Sequence, residues 1–250
     1  MPPAVTQLAD LVAGLGWVTG LLVAGSLAMG DYVPGVSDLD LVALTAGPVG
    51  DARQEMISGL HACLDRGVAQ GLSLGCAYVD AGQLADSGAL HPTWTHGSLV
   101  QRTLSGVTRA ELVRHGFAVM GAPPAAVLPD MTDDDVRSAA RAELLGYWAW
   151  ASRRPLMWLS PVIADLGLTS MARGRHALET GQLLTKTQAI ERAHAPAWLR
   201  EQLRARRSGE SVASPRTRTA LVAWRDARRT VAAAGRQPPV ASTGASPGAP

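Results

Sequence analysis

Two carboxylates stand two residues apart in the segment Ser37-Asp38-Leu39-Asp40. The apolar run from Leu39 to Leu44 predicts a buried strand that begins inside this segment. Side chains alternate between the two faces of a strand, so both carboxylates should point the same way. Like charges on one face repel each other unless a cation neutralises them. Mg²⁺ suits such a pair, because it binds one or two carboxylates and completes its shell with substrate phosphates. The spacing therefore predicts a metal site at Asp38 and Asp40.

A phosphate-binding turn is the second chemical feature of the sequence. Gly25-Ser26 directly follows the apolar run from Leu21 to Ala24, which reads as a short buried strand. A glycine lets the backbone approach a phosphate, and free N–H groups at such a turn can bind it. Either motif alone is typical of an ordinary turn, but the two together, in order on consecutive strands, favour a nucleotide site. We therefore expect phosphoryl or nucleotidyl transfer.

The elements around these motifs alternate between helix and strand through the first half of the chain. The patterns predict helices at 4–15 and 51–66 and strands at 21–24, 39–44, 72–79 and 99–104. Asp51 is expected to cap the second helix. We predict inward side chains for Met56, Leu60, Cys63 and Leu64, and small core roles for Cys63 and Cys76 in a reducing cytoplasm.

The second half reads as entirely helical. Thr132 is placed to cap a helix that begins with three acidic residues and runs to about Ser152. Further helical patterns follow at 156–180, 185–195 and 214–234. The predicted fold class is α/β (α+β): a domain with a small mixed sheet at 1–128, an all-α domain at 129–236, and a disordered tail at 237–250.

The two motifs resemble the Gly-Ser and Asp-x-Asp signature of the DNA-polymerase-beta-like nucleotidyltransferases. Within that superfamily the chain is similar to the aminoglycoside 3″-adenylyltransferases, the streptomycin and spectinomycin resistance enzymes. Later passages carry the similarity further: the run from Gly121 to Leu128 and the acidic helix start, Leu145 to Trp148, Leu168 to Arg173, Thr180-Gly181 and Thr185-Lys186.

This resemblance implies a transferase that binds ATP and Mg²⁺ between its domains and transfers AMP to a hydroxyl of a small molecule, with aminoglycoside antibiotics as candidate acceptors. The site residues it implies are Asp38 and Asp40 for metal and catalysis, Gly25 and Ser26 for the triphosphate, and Arg173 and Lys186 for the phosphates. The sequence around the lysine supports its assignment independently. Gly181 is typical of a helix stop and Thr185 of an N-cap, so Lys186 opens a helix. A cation there opposes the helix dipole, which favours an anion bound beside it.

The proton acceptor of such a reaction is the point at which the pattern breaks. The similar enzymes use a third acid on the next strand, and its place falls near Leu74, where this chain has no carboxylate. Asp80 has the expected strand parity but lies about six residues further on, and His96 is the other candidate. The alternative hypothesis is therefore a regulatory or substrate-binding protein of the same fold that binds nucleotide without ordinary transfer.

Charge and hydropathy limit the partners. A formal net charge of +2 does not favour nucleic acid, and the arginines from Arg200 to Arg229 are typical of a solvated face. The uncharged stretch from Leu11 to Gly30 is long enough to cross a membrane, but it contains five glycines and lacks basic flanks. We therefore expect a cytoplasmic protein without a membrane span, and a monomer.

Overall fold

The computed structural model describes residues 1–84 and 86–236. In these residues the strands are β1 (Val18–Val23), β2 (Leu39–Thr45), β3 (Leu74–Asp80), β4 (Leu90–Thr95), β5 (Ser98–Thr103) and β6 (Phe117–Met120). The α-helices of the first half are α1 (Pro3–Ala13), α2 (Gly25–Ala28), α3 (Asp51–Arg66), α4 (Gly106–His115) and α5 (Pro124–Val127). The α-helices of the second half are α6 (Asp133–Glu143), α7 (Ala149–Ser152), α8 (Pro161–Thr180), α9 (Lys186–Glu191), α10 (Ala197–Arg207) and α11 (Arg216–Arg236).

The strands form one mixed sheet with the order β5-β4-β3-β2-β1-β6. Strands β2 and β3 are parallel, and the other neighbouring pairs are antiparallel. In the parallel pair Asp40 lies opposite Gly75, and Thr45 lies opposite Asp80 at the far end. The predicted acidic motif therefore begins a central strand of the sheet.

The two faces of the sheet have separate apolar cores. One face packs on α1 and α3 through buried residues such as Leu8, Leu21 and Ile57. The other face carries Leu22 and Val42 and packs on Leu112 of α4. Alternation along β2 places Asp40 on the same face as Val42, so α4 covers the face from which Asp40 projects.

The helical half has its own core, built around Trp158, Leu168 and Met171. Helix α8 packs against both α6 and α11, and Gly167 allows its close approach to the ring of Trp158. The helix predicted from Thr132 to Ser152 is continuous in path but contains a π-helical turn at Leu144–Trp148. Thr132 caps it as expected: its hydroxyl accepts from the N–H of Asp135, and the Asp135 carboxylate accepts from the N–H of Thr132.

Several sequence expectations are wrong in detail. Met56 and Cys63 are exposed, because α3 turns Ile57, His61 and Leu64 inward instead. Gly50, not Asp51, is the N-cap residue of that helix. The sequence analysis did not predict strands β4 and β6 or helices α2, α4, α5 and α10.

The remaining expectations concern organisation. The division into domains at 128 and 129 stays a prediction, and the predicted disordered tail at 237–250 lies outside the described residues. Among the helices that the structure describes, none is long and apolar enough to cross a membrane. The uncharged stretch from Leu11 to Gly30 instead forms the end of α1, strand β1 and helix α2.

Candidate active site

The phosphate-binding turn lies where β1 ends and α2 begins. Gly25 adopts a positive φ of 61°, a backbone conformation that strains any other residue. An ideal Cβ at this position would lie 2.9 Å from Cγ of Asp40, so only glycine leaves room for that carboxylate. The hydroxyl of Ser26 is buried without a hydrogen-bond partner among the described residues. A buried polar atom of this kind indicates a missing ligand, and a phosphate oxygen suits it.

The two predicted motifs are held together by the backbone. The N–H of Ala24 donates to the carbonyl of Asp40 at 2.9 Å, which joins the end of β1 to the start of β2. Asp38 and Asp40 therefore lie beside Gly25-Ser26, as the sequence predicts. Both acids are exposed, Asp38 at 52% of its side chain.

Asp40 carries the most perturbed carboxylate of the site. Its side chain is open to water on the cleft side but is surrounded by protein on the others. This desolvation raises the pKa of Asp40 to about 6, and the negative charges of Asp38 and Glu111 add to the effect. Lys186 and Arg173 oppose the rise without cancelling it. The site thus holds more negative charge than its own cations neutralise.

That excess charge is the test of whether a divalent cation fits. Two carboxylates on one face, with the pKa of Asp40 raised, match the demand of Mg²⁺ for hard oxygen ligands. The described residues contain no group of three or more acidic, histidine or cysteine side chains arranged to hold a metal alone. The residues fit a cation that shares its shell with substrate phosphates and do not fit a closed structural metal site.

Lys186 reaches the same place from the helical half. Gly181 ends α8 in the left-handed conformation. The Thr185 hydroxyl caps α9 by accepting from the N–H of Gln188, and the Gln188 side chain accepts from the N–H of Thr185. Lys186 is the first residue of α9, and its Nζ lies 3.6 Å from Oδ2 of Asp38. The positive charge at this helix start is therefore placed opposite the acidic motif.

Arg173 lies on α8 and contacts the first half through a carboxylate that the sequence did not indicate. Its Nη2 forms an ion pair with Oε1 of Glu111 on α4, and its Nε donates to the carbonyl of Leu184 at 3.0 Å. These contacts leave Nη1 for a further acceptor. Arg175, a neighbour on the same helix, instead forms an ion pair with the fully buried Asp226. The structure thus directs Arg173, not Arg175, towards the acidic motif.

The loop between the two motifs is fastened to the helical half. Arg207 of α10 forms an ion pair with Asp31 at 3.1 Å, and it donates to the Asp31 carbonyl and to Oγ of Ser37. Thr187 of α9 donates to both carboxylate oxygens of Asp31. Burial opposes the charge of Asp31, but the bonds from Thr187 and the charge of Arg207 outweigh it and lower its pKa. These contacts fix the helical half against the loop that carries Asp38.

A cavity of about 450 Å³, which we call the cleft, lies between these elements. Gly25, Asp40, Glu111, Arg173 and Lys186 all line it, together with Gly75 on β3. A second cavity of about 430 Å³, the outer cavity, is lined by Asp38, Asp40, Asp65, His96 and Arg102. Asp40, Gly75 and Arg102 line both cavities, so the two spaces adjoin at Asp40.

No family model matches the sequence, and no curated protein matches it significantly. Among the solved structures, the chain is similar to spectinomycin adenyltransferase AAD(9) from Enterococcus faecialis, which was solved with ATP and spectinomycin. The match has a TM-score of 0.64 at 18% sequence identity and covers 86% of this chain and 92% of AAD(9). The chain therefore shares the fold of this adenyltransferase. The predicted fold class and the predicted resemblance in fold are confirmed.

The structure rejects one candidate for the proton acceptor. Asp80 lies opposite Thr45, five positions from the Gly75–Asp40 pair and about 16 Å along the strand. Its carboxylate accepts a hydrogen bond from the N–H of Gly82. Asp80 and Gly75 are an odd number of positions apart, so they project from opposite faces of the sheet. The expectation that Asp80 has the required parity is wrong, because the place beside Asp40 belongs to Gly75 and not to Leu74.

His96 and Trp94 lie nearer to the site. His96 is at the tip of the β4–β5 hairpin, with a positive φ of 49°, and lines the outer cavity. Trp94 is buried, stacks on His61 and donates from Nε1 to Asp65 at 3.1 Å, so it acts as an anchor. Burial lowers the pKa of His61 to about 3, so the imidazole ring of His61 is neutral at neutral pH. Of these residues only Trp94 also lines the cleft.

Proposed function

We propose that this protein transfers AMP from ATP, with Mg²⁺, to a hydroxyl of a small molecule. One observation carries the proposal: a single cleft is lined by Gly25-Ser26, Asp40, Arg173 and Lys186, and Nζ of Lys186 lies 3.6 Å from Oδ2 of Asp38. Positive side chains, a phosphate-binding turn and a pair of carboxylates at one place are the requirements of nucleotidyl transfer, which depends on positioning and charge neutralisation.

Each group has a role that follows from its place. Ser26 and the backbone at Gly25 bind the phosphates, and Lys186 turns from Asp38 towards the triphosphate when the nucleotide enters. Arg173 offers Nη1 to the same phosphates. Asp38 and Asp40 hold Mg²⁺, which supplies positive charge to the phosphate oxygens. That role accounts for two carboxylates whose mutual repulsion Lys186 and Arg173 offset only in part.

In this proposal the acceptor enters from the outer cavity and its hydroxyl reaches the cleft, because Asp40, Gly75 and Arg102 line both spaces. AAD(9) was solved with spectinomycin as well as ATP, which makes aminoglycoside-type antibiotics the first acceptors to test and antibiotic resistance the first phenotype. The outer cavity carries a carboxylate at Asp65 and a guanidinium at Arg102, so both amino and hydroxyl groups of an acceptor find partners. A cytoplasmic location and a monomeric state remain predictions.

The experiment is a coupled assay of pyrophosphate release and a mass measurement of the acceptor, with ATP, Mg²⁺ and a panel that begins with spectinomycin and streptomycin. We expect a product heavier by one AMP, and loss of turnover with EDTA or in Asp38→Asn. Asp10→Asn is the matched control, because Asp10 is an exposed acid on α1, which packs on the opposite face of the sheet. Full turnover in Asp38→Asn would contradict the metal assignment.

A second candidate function is supported by Gly75. This glycine lies opposite Asp40 on the strand where the resemblance implies an acid, so the strand supplies no carboxylate beside Asp40. The protein would then bind nucleotide without ordinary transfer. Calorimetry separates the two functions: binding of ATP with Mg²⁺, together with no AMP on any acceptor of the panel, favours the binding protein.

A further inference from the structure

Glu111 is the third carboxylate of the cleft, and it comes from a helix instead of a strand. It lies on α4, whose first turn is capped by the hydroxyl of Ser105 and whose Leu112 is fully buried in the core beneath the sheet. With its neighbour fixed in this way, Glu111 faces the cleft. The residue is only 7% exposed, and its burial is balanced by the ion pair with Arg173.

The surroundings of Glu111 place it near the reacting groups. It lines the cleft together with Asp40 and Gly75. Its negative charge is also one of the smaller causes, after burial, of the raised pKa of Asp40. Arg173 donates from Nη2 to Oε1, which holds the carboxylate in its buried position and leaves Oε2 for another partner. Gly75 lines the same cleft and adds no side chain to it.

We propose that Glu111 is the proton acceptor for the attacking hydroxyl, in place of the carboxylate that the resemblance implies on β3. This inference rests on the proposed function. In the step, the acceptor oxygen bonds to the α-phosphorus of ATP, and the bond from that phosphorus to the bridging oxygen breaks. The electron pair leaves with pyrophosphate, and the hydroxyl proton moves to Glu111. Arg173 holds the carboxylate in position through the step.

Glu111→Gln is the direct test, because glutamine keeps an oxygen that can accept the bond from Arg173 but cannot take a proton. We expect the affinity for ATP with Mg²⁺ to stay within about threefold of the original, measured by calorimetry. The AMP transfer rate at saturating ATP should fall by about 10²–10⁴-fold, the usual contribution of a positioned base.

A second substitution distinguishes a base from a structural partner of Arg173. An ideal Cβ at Gly75 would have ordinary contacts, 3.7 Å from the Trp94 carbonyl oxygen and 3.8 Å from that of Leu39, so a side chain fits there. Gly75→Glu in the Glu111→Gln background restores a carboxylate beside Asp40 without restoring the ion pair. Recovery of at least tenfold in transfer rate supports the proposal, because a merely structural role of Glu111 would not be rescued from β3.

The outcomes that overturn the proposal are also distinct. A full transfer rate in Glu111→Gln removes the assignment and leaves the proposed function intact. A loss of ATP affinity with an unchanged rate at saturation shows that Glu111 only positions Arg173. If the unmodified protein binds ATP but transfers AMP to no acceptor, the proposed function fails first and the role of Glu111 fails with it.

Discussion

Asp40 should destabilise the metal-free protein, and its replacement by asparagine should therefore stabilise it. The pKa of Asp40 rises from 3.8 to about 6, mainly through desolvation. A rise of that size corresponds to roughly 3 kcal/mol for the ionised form. Water in the cleft reaches the side chain and screens part of this energy, so we expect about 1 kcal/mol. For a chain of this length that gives a rise in Tm of roughly 2–4 °C.

The pH dependence of the stability of the metal-free protein provides an internal control for this prediction. The native state keeps the Asp40 proton to a higher pH than the unfolded state, so the stability of the metal-free protein falls as pH rises from about 4 to about 6. Asp40→Asn lacks that loss. The difference in Tm between the two proteins should be small at pH 4.5 and complete at pH 7.5.

Thermal unfolding in EDTA, followed by circular dichroism at both pH values, measures this difference. Addition of ATP with Mg²⁺ at pH 7.5 should then raise the Tm of the unmodified protein and not that of Asp40→Asn, because only the former binds the cation. The reasoning is refuted if the variant is no more stable at pH 7.5, or if the difference in Tm does not change with pH.

Two further substitutions test the turn and the contacts of its loop. Gly25→Ala should abolish AMP transfer because its Cβ displaces Asp40, whereas Gly30→Ala has a similar φ of 69° and open space, so it should lose only about 1–2 kcal/mol of stability and keep activity. Transfer assays on the pair decide this, and retained activity in Gly25→Ala would be the contrary result. Arg207→Met should cost about 3 kcal/mol and weaken ATP binding at least tenfold, because it leaves Asp31 partly unpaired in a buried place. Arg204→Met, which breaks an exposed pair on the same helix, should cost less than about 1 kcal/mol; equal losses of Tm and ATP affinity in the two variants would argue against the buried contact.

The local patterns of the sequence predicted the parts of the site that depend on local geometry. Alternation along a strand placed Asp38 and Asp40 beside Gly25-Ser26, and the residues from Gly181 to Gln188 predicted the break between α8 and α9 correctly. Such signals need only the neighbouring residues. Such local signals fail in helix α3, because two neighbouring faces of this helix are both partly apolar. The face that is buried carries His61, which forms a hydrogen bond with Tyr78.

The parts that the sequence did not predict depend on distant contacts. Glu111 meets Arg173 from 62 positions away in the chain, and no apolar periodicity marks α4 as a helix beside the site. Strand β4 contains Pro92, which argues against a central strand. It is accommodated because the pairing of β4 with β3 is confined to Thr93 and Trp94. Only the folded sheet shows that Gly75, and not Leu74, lies opposite Asp40.

The contact of Arg207 with the Asp31 loop also bears on when the site forms during folding. Arg207 is separated from Asp31 by 176 positions and from Ser37 by 170, which are among the longest sequence separations in the molecule. Contacts of that range form late, because a long stretch of chain must first be brought together. The sheet can pair while the loop between β1 and β2 still lacks its final shape. A ribosome-bound chain that ends before α10 should therefore contain the acidic motif and yet bind ATP poorly, so that nucleotide binding begins only when synthesis has passed Arg207.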